Sequence, residues 1–309
     1  MRLKSIIKGA GSFVYPRWRM SAVGVEGAYS AAGSYGLFMR HALALAGIGR
    51  SFEDKLVLEY GPGATLGLGF AALICGAKRY YSYDLIDHTD ADRNLAVFDE
   101  LLQMFERRAA LPSGGFHEKI CPILQSHEFP IEALPEDLLR RTLLPQRINS
   151  IREDIKTRGG VFVVQRSSRD IAVAVLDEPV DVIISESVLE HVDDLPSTYA
   201  FFARALAADG VMAHLIDYTS HNLADEWNGH WVCAPKLWSI VRGKREFLIN
   251  RKPHQYHLDL LAENGMRVIQ TSRLHRVDGA TRDGFANEFR QMSRLDATTS
   301  LAQIVVARN

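Results

Sequence analysis

LVLEYGPGATLGLG, residues 56–69, decides how the rest of the chain is read. Leu56, Val57 and Leu58 make a short apolar strand, Glu59 stands near its end, and Gly61 and Gly63 form a tight turn that opens into a helix. Strand, glycine turn and helix in this order build a nucleotide pocket. The backbone can approach a ligand where side chains are missing, and the helix N-terminus faces it. Pro62 stiffens the turn. A dinucleotide fingerprint calls for Gly or Ala three residues after Gly63, where Leu66 stands. A phosphate loop would close in Gly-Lys-Ser/Thr, and no such triplet follows. Glu59 is a poor neighbour for a pyrophosphate and suits a ligand that carries positive charge. The competing reading is an ordinary turn with incidental glycines.

The next strand, 79–85, ends in Asp84, 25 residues after Glu59. A doubly wound unit places an acid at the end of its second strand, about 20 residues beyond the glycine turn, where it binds both ribose hydroxyls. Further strands are predicted at 161–165, 182–185, 211–217, 266–272 and 301–307. Helices are predicted at 66–75, 198–207 and 254–264, with Gly76 and Gly265 as stops. Gly67 and Gly69 allow close helix–sheet packing, and the second half of 27–48 is helical, with Leu37, Phe38, His41, Leu45 and Ile48 at helical spacing. The apolar run 171–176 fits a strand or a helical turn equally. This order, closed by a strand pair, predicts a seven-stranded, mostly parallel sheet with helices on both faces.

Two long segments interrupt that pattern. Residues 90–159 carry an amphipathic helix (Leu95, Val97, Phe98, Leu101, Leu102, Phe105), a loop broken by Pro and Gly, and a helix over 136–157. That is long for one connection and reads as an insert or lid. Residues 218–252 hold Trp227, Trp231 and Trp238 among Lys236, Arg242, Lys244, Arg245, Arg251 and Lys252. They read as a cap whose rings stack on an anionic or sugar acceptor, or as a solvated cap whose tryptophans pack inward. The division is 1–50 as N-terminal arm and helical cap, and 51–309 as one domain with these inserts.

With 309 residues, 47% hydrophobic and 24% charged, the composition is that of a globular protein with a sizeable core. A net charge of -1 gives no sign of a nucleic-acid partner. Cys75, Cys121 and Cys233 lie far apart with no Cys-x-x-Cys spacing, which argues against a disulfide framework or zinc site and fits a cytoplasmic protein. No apolar run reaches the roughly 18 residues that span a bilayer. Residues 1–20 carry Arg2, Lys4, Lys8, Arg17 and Arg19, no acid, and Ile6, Ile7, Phe13, Val14, Tyr15 and Trp18. Such an arm packs on the domain or rests on an anionic membrane surface as a peripheral contact.

The segments LVLEYGPG, Asp84, DVIISESVLEHV and LAADGVMAHLIDY together resemble the class I S-adenosylmethionine (SAM)-dependent methyltransferases, in the group with a VLEHV segment after the fourth strand. The resemblance covers roughly 53–90 and 160–218. It implies a Rossmann-like sheet with helical inserts forming a cap, and SAM as cofactor. It also implies a pocket from Glu59, Gly61 and Gly63 at the methionine part, Asp84 and Leu85 at the ribose, and Ser168, Arg169 or Asp170 at the adenine. Glu186 and Ser187 would stand by the sulfonium, and Thr65 departs from the third glycine often found there. The segment 254–270, with INRKP before it, resembles bacterial relatives, some associated with cell-surface glycans.

Methyl transfer to oxygen or nitrogen needs an oriented acceptor and, for a hydroxyl or ammonium, a base. His191 follows Glu190 and reads as a base or as a packed support of the cofactor loop. His214 alternates with apolar neighbours and reads as a core residue. Asp217 ends the fifth strand at the edge where ligands bind, and His221 follows four residues later; the pair is a candidate base. The same segment raises a metal question. Some relatives that methylate catechols or RNA ends bind magnesium through Glu-x-x-Glu-His and a later His. Glu190 and His191 match, but Ser187 occupies the first position; Glu186 lies one residue earlier and would share a helix face with Glu190. With the frame displaced, no metal is expected. The reading is an O-methyltransferase acting on a small-molecule or glycan hydroxyl. Its alternatives are an N-methyltransferase on a small amine, a non-catalytic SAM-binding module, and an NAD(P)-dependent oxidoreductase, against which Leu66 and Glu59 count.

Overall fold

A computed structural model of the chain describes residues 1–18, 29–87, 90–171, 174 and 176–309. Arg19, the start of 27–48 and part of the run 171–176 lie outside the described residues.

The glycine turn sits where the sequence puts it. Strand β1 (Leu56–Tyr60) leads through it into helix α3 (Gly67–Ile74), and β2 (Arg79–Asp84) follows after Gly76, whose φ of +98° stops the helix. Gly69 lets α3 lie against β2: a Cβ there would stand 2.1 Å from the Tyr80 ring. Upstream are α1 (Leu3–Gly11) and α2 (Ala31–Ala46); the side chain of Ser30 caps α2 by accepting from the Gly33 N–H. Helix α2 is buried almost all round, so its face is wider than the predicted stripe.

Between β2 and β3 (Val163–Ser167) run α4 (Ala91–Glu106), α5 (Glu136–Thr142) and α6 (Pro145–Thr157). The single helix expected over 136–157 is therefore two. Pro145 has no N–H to offer the preceding turn and pushes Leu144 to an extended ψ of 131°, so a new helix starts there. Strand β3 begins two residues later than expected because the Asp154 carboxylate accepts the N–H groups of Val161, Phe162 and Val163. Helix α4 packs on α3 and α2, and α6 on α4 and β3.

The second half runs β4 (Val180–Glu186), α7 (Leu195–Ala205), β5 (Leu206–Asp217), α8 (Pro235–Arg242), α9 (His254–Glu263), β6 (Met266–His275), α10 (Arg294–Thr298) and β7 (Thr299–Arg308). The sheet order is β3-β2-β1-β4-β5-β7-β6. All neighbours are parallel except β7, which is antiparallel to both β5 and β6. The chain moves outward from β1 to β3 and then crosses back to β4, so the topological switch point lies between β1 and β4. In such sheets ligands bind there, beyond the carboxyl ends of the strands. One apolar layer joins α2, α3, α4 and α6 to the sheet; the other joins α7 and α9 to its opposite face. A third, small cluster ties α1 to α8 through Val241, Leu248 and Ile249.

Candidate functional site

The turn after β1 is built for close approach. Gly61 and Gly63 have φ of +75° and +68°, where a side chain is strained. A Cβ on Gly61 would meet Val188 at 2.5 Å, and one on Gly63 would lie 3.0 Å from the Tyr29 hydroxyl. Asp84 closes the turn from β2. Its Oδ2 accepts the Gly63 N–H at 3.1 Å, and its Oδ1 accepts the Leu85 N–H at 2.7 Å. A cleft opens here, lined by Gly63, Asp84, Asp87, Gln165, Arg166 and Ser167 among others. Acidic and neutral acceptors at strand ends suit the hydroxyls of a ribose. The residues present thus fit the adenosine end of SAM.

Glu59 lies deeper than the sequence suggests. It is 3% exposed and accepts a 2.5 Å hydrogen bond from the Tyr80 hydroxyl. Burial pushes its carboxyl up to about 8, with Glu186 and Asp84 adding repulsion against the Tyr80 bond. It supports the turn from beneath as a neutral acid at pH 7.

The cleft is also lined by Gln165, Arg166 and Ser167, which directly precede the expected Ser168, Arg169 and Asp170. The Ser168 N–H donates to the Asp84 carbonyl, the Asp170 N–H donates to Ser168, and Arg169 reaches Glu246 at 3.3 Å. Leu85 stands beside Asp84, half-buried, while Ile86 and Asp87 reach the cleft. These lining residues occupy strand ends, and the rule that ligands bind there was the one signal that could have found them.

At the end of β4, Glu186 meets His41 of α2: Nε2 and Oε2 are 2.9 Å apart, and His41 is fully buried. Nothing in the sequence announces a contact across 145 positions. Ser187 turns the chain with φ of +53° and donates its N–H to the Leu215 carbonyl. The helix expected to carry Glu186 and Glu190 on one face does not form. After the left-handed Ser187 only a short 3₁₀ turn, Leu189–His191, follows.

That turn nevertheless brings the candidate catalytic residues together. His221 Nε2 lies 3.2 Å from Asp217 Oδ2 and 4.0 Å from Glu190 Oε1. The His191 and His221 rings stand edge to face, 4.9 Å apart. Burial and then the neighbouring His221 push His191 down to about 4, so it is neutral. Burial and then Asp217 raise Glu190 well above the carboxylate range. Burial works to raise Asp217 too, but the imidazole of His221 and the Thr219 N–H hold it below its usual range. His214 is a core residue as expected, stacked on Phe202 with Nδ1 at 2.8 Å from Ser185.

Residues 218–252 lie over this cluster. The Asn250 side chain donates to the Leu189 and Val192 carbonyls, and Arg242 pairs with Asp193. Two of its tryptophans pack inward, and the third is covered by an arginine on one face. Trp231 is fully buried and donates to the Arg251 carbonyl, Trp227 packs edge to face on it, and the Arg251 guanidinium covers Trp238 at 4.7 Å. Indoles this large bury inward where the core accepts them.

A family model described as a methyltransferase domain matches residues 35–271. None of the curated proteins matches. Among solved structures, the chain is similar to magnesium protoporphyrin IX methyltransferase from Synechocystis PCC 6803 with bound SAH, at 12% identity, covering 99% of each chain, with a TM-score of 0.45. It is similar to an S-adenosylmethionine dependent methyltransferase from Mesorhizobium loti at 12% identity, covering 92% of this chain and 100% of that one, with a TM-score of 0.43. It is also similar to geranyl diphosphate C-methyltransferase from Streptomyces coelicolor A3(2) at 14% identity, covering 88% and 78%, with a TM-score of 0.44. These scores are low, and the weight rests on the family match and on the order of the sheet. By that match, which spans most of its length, the chain belongs to the class I SAM-dependent methyltransferases.

Proposed function

We propose that the protein methylates a hydroxyl oxygen on a small molecule or glycan. The observation that carries this reading is the Asp217–His221 pair at the carboxyl edge of β5, 3.2 Å apart, with the His221 side chain partly exposed. SAM, when bound, supplies an electrophilic methyl on a sulfonium. Gly61 and Gly63 give it backbone approach, Asp84 accepts from the ribose, and Glu186 and Ser187 border the transfer path. The acceptor oxygen bonds to the methyl carbon as the carbon–sulfur bond breaks. His221 takes the hydroxyl proton, and Asp217 stabilises the imidazolium that results.

The test uses methyl-labelled SAM with hydroxyl and amine acceptors. His221→Ala and Asp217→Asn should each slow transfer about 10²–10³-fold with SAM affinity unchanged. Wild-type rates in both variants would remove the base. Label on amines alone would favour N-methylation, and SAM binding without transfer to any acceptor would favour a regulatory module.

One observation favours a second reading of the same cluster. Among the described residues, one ligand atom each from Glu190, His191 and His221 lie within 4.8 Å of one another. Both Glu190 carboxylate oxygens and His191 Nδ1 are buried without a hydrogen-bond partner. Two imidazoles and a carboxylate suit a divalent cation of the manganese-to-zinc series. In this reading Glu190, His191 and His221 would hold the cation, and it would supply the acidification of the acceptor hydroxyl that His221 supplies in the first reading. Activity lost to a chelator and restored by Mn²⁺ or Zn²⁺ supports it; a full rate in chelator leaves the base reading standing.

A further inference from the structure

The N-terminal helix is fixed by one face and presents the other. Ser5, Gly9 and Ser12 are buried on the inner side of α1. A Cβ on Gly9 would stand 2.2 Å from the carbonyl oxygens of Ile240 and Val241, so α1 touches the α8 backbone directly. The Lys244 N–H donates to Ser12, the buried Arg245 guanidinium bonds the Val241 and Ser5 carbonyls, and the Arg2 N–H donates to the Leu223 carbonyl. The arm is thus part of the domain rather than a loose tail.

The opposite side has no such use. Leu3 and Ile7, one helical turn apart and turned away from Ser5 and Gly9, are 70% and 52% exposed. In the turn after the helix, Val14 is 72% exposed and Phe13 53% exposed. On the neighbouring helix Ile240 is 44% exposed. Around this apolar ridge stand Lys4, Lys8, Arg17, Lys236 and Lys244, and neither 1–18 nor 227–245 contains an acid. Asp225 pairs with Arg2 and Asp193 with Arg242, so the border is mainly rather than wholly cationic. An aliphatic ridge with such a border matches the boundary between the headgroups and acyl chains of an anionic bilayer.

We propose that the face made by α1, the turn after it and the outer side of α8 binds an anionic membrane surface. Leu3, Ile7, Phe13 and Val14 enter the interfacial layer, and the lysines and Arg17 meet lipid phosphates. No helix is long and apolar enough to cross a membrane among the described residues, and the contact proposed lies in the interface plane. It is reversible and weakened by salt, since the attraction of each cation to the anionic surface is screened by added ions. The proposal does not depend on the acceptor or on the base.

The experiment is co-sedimentation of the full chain with vesicles of phosphatidylcholine, with and without phosphatidylglycerol. Binding is expected only to the anionic vesicles and is reversed by high salt. Leu3→Glu with Ile7→Glu, and separately Lys4→Glu with Lys8→Glu, should each lower partitioning about tenfold or more. Leu3, Lys4 and Ile7 are exposed and Lys8 is half-buried, so thermal midpoint and SAM affinity should stay close to wild-type values and report an intact fold. No binding to anionic vesicles, or binding untouched in both double variants, would overturn the proposal. So would self-association that Leu3→Glu with Ile7→Glu abolishes while vesicle binding is absent, because a second copy would then cover the ridge.

Discussion

Glu59 shows how one side chain couples the fold to the ligand. Its carboxyl titrates near 8 in the folded protein and near 4.5 in a free chain. The folded form therefore keeps a proton that the unfolded form has lost between those values, and this group disfavours folding increasingly as pH rises from about 4.5 to about 8. Glu59→Gln keeps an acceptor for the Tyr80 hydroxyl and removes that penalty. The thermal midpoint of the variant should gain on the wild type from pH 5 to pH 8, while SAM binding weakens about tenfold through loss of an ionisable partner for the ligand ammonium. Calorimetry in buffers of different ionisation enthalpy should also show close to one proton released on SAM binding to the wild type at pH 7, and none for Glu59→Gln. Equal proton release in both would place the ammonium elsewhere.

At the scale of elements, the decisive contact is α3 on β2. Gly69 leaves room for the Tyr80 ring, which is fully buried and holds Glu59. Gly69→Ala forces a Cβ to within 2.1 Å of that ring, so either the helix or the ring must shift. The expected loss is about 1–3 kcal/mol in denaturant unfolding, with weaker SAM binding as the turn moves. Gly284→Ala is the control: nothing lies within 4 Å of a Cβ there, and its effect should stay within about 0.5 kcal/mol. Matching losses at the two positions would mean that glycine flexibility, not packing, is what counts. The periodicity of α4 and the break before α6 belong to the same scale. The first was legible from apolar spacing; the second was missed, although Pro145, whose missing N–H ends one helix and starts another, carried the signal.

The whole molecule carries an unusual load of buried imidazoles. Burial lowers His117, His191 and His254 to about 4 and His214, His230 and His257 to about 3. These groups are neutral when folded and protonate near 6.5 when unfolded. Their stabilisation is complete above that value and is lost as pH falls from about 6.5, at about 1.4 kcal/mol per pH unit for each. Glu59 and Glu190, raised by burial, act in the opposite sense and favour folding as pH falls. Six histidines outweigh two glutamates below 6.5, and above it only the glutamates still titrate. The thermal midpoint should therefore peak near pH 6.5 and fall on both sides, more steeply toward acid. A midpoint that keeps climbing from 6.5 to 8 would contradict this balance.

The sequence by itself determined the parts whose physics is local. A strand, a glycine turn and a helix cannot be written in many ways, and Asp84 at its distance completes them, so the sheet and its nucleotide edge were legible. The pairing of Asp217 with His221 was legible for the same reason, four residues apart at a strand end. Tertiary structure alone decided the rest. It buried Glu59 against Tyr80, set His41 against Glu186 and turned Trp227 and Trp231 inward. It also set Glu190 beside His221, where a helical reading had joined it to Glu186. Burial and neighbours distant in the chain fix those contacts, and neither can be read from the spacing of residues along it.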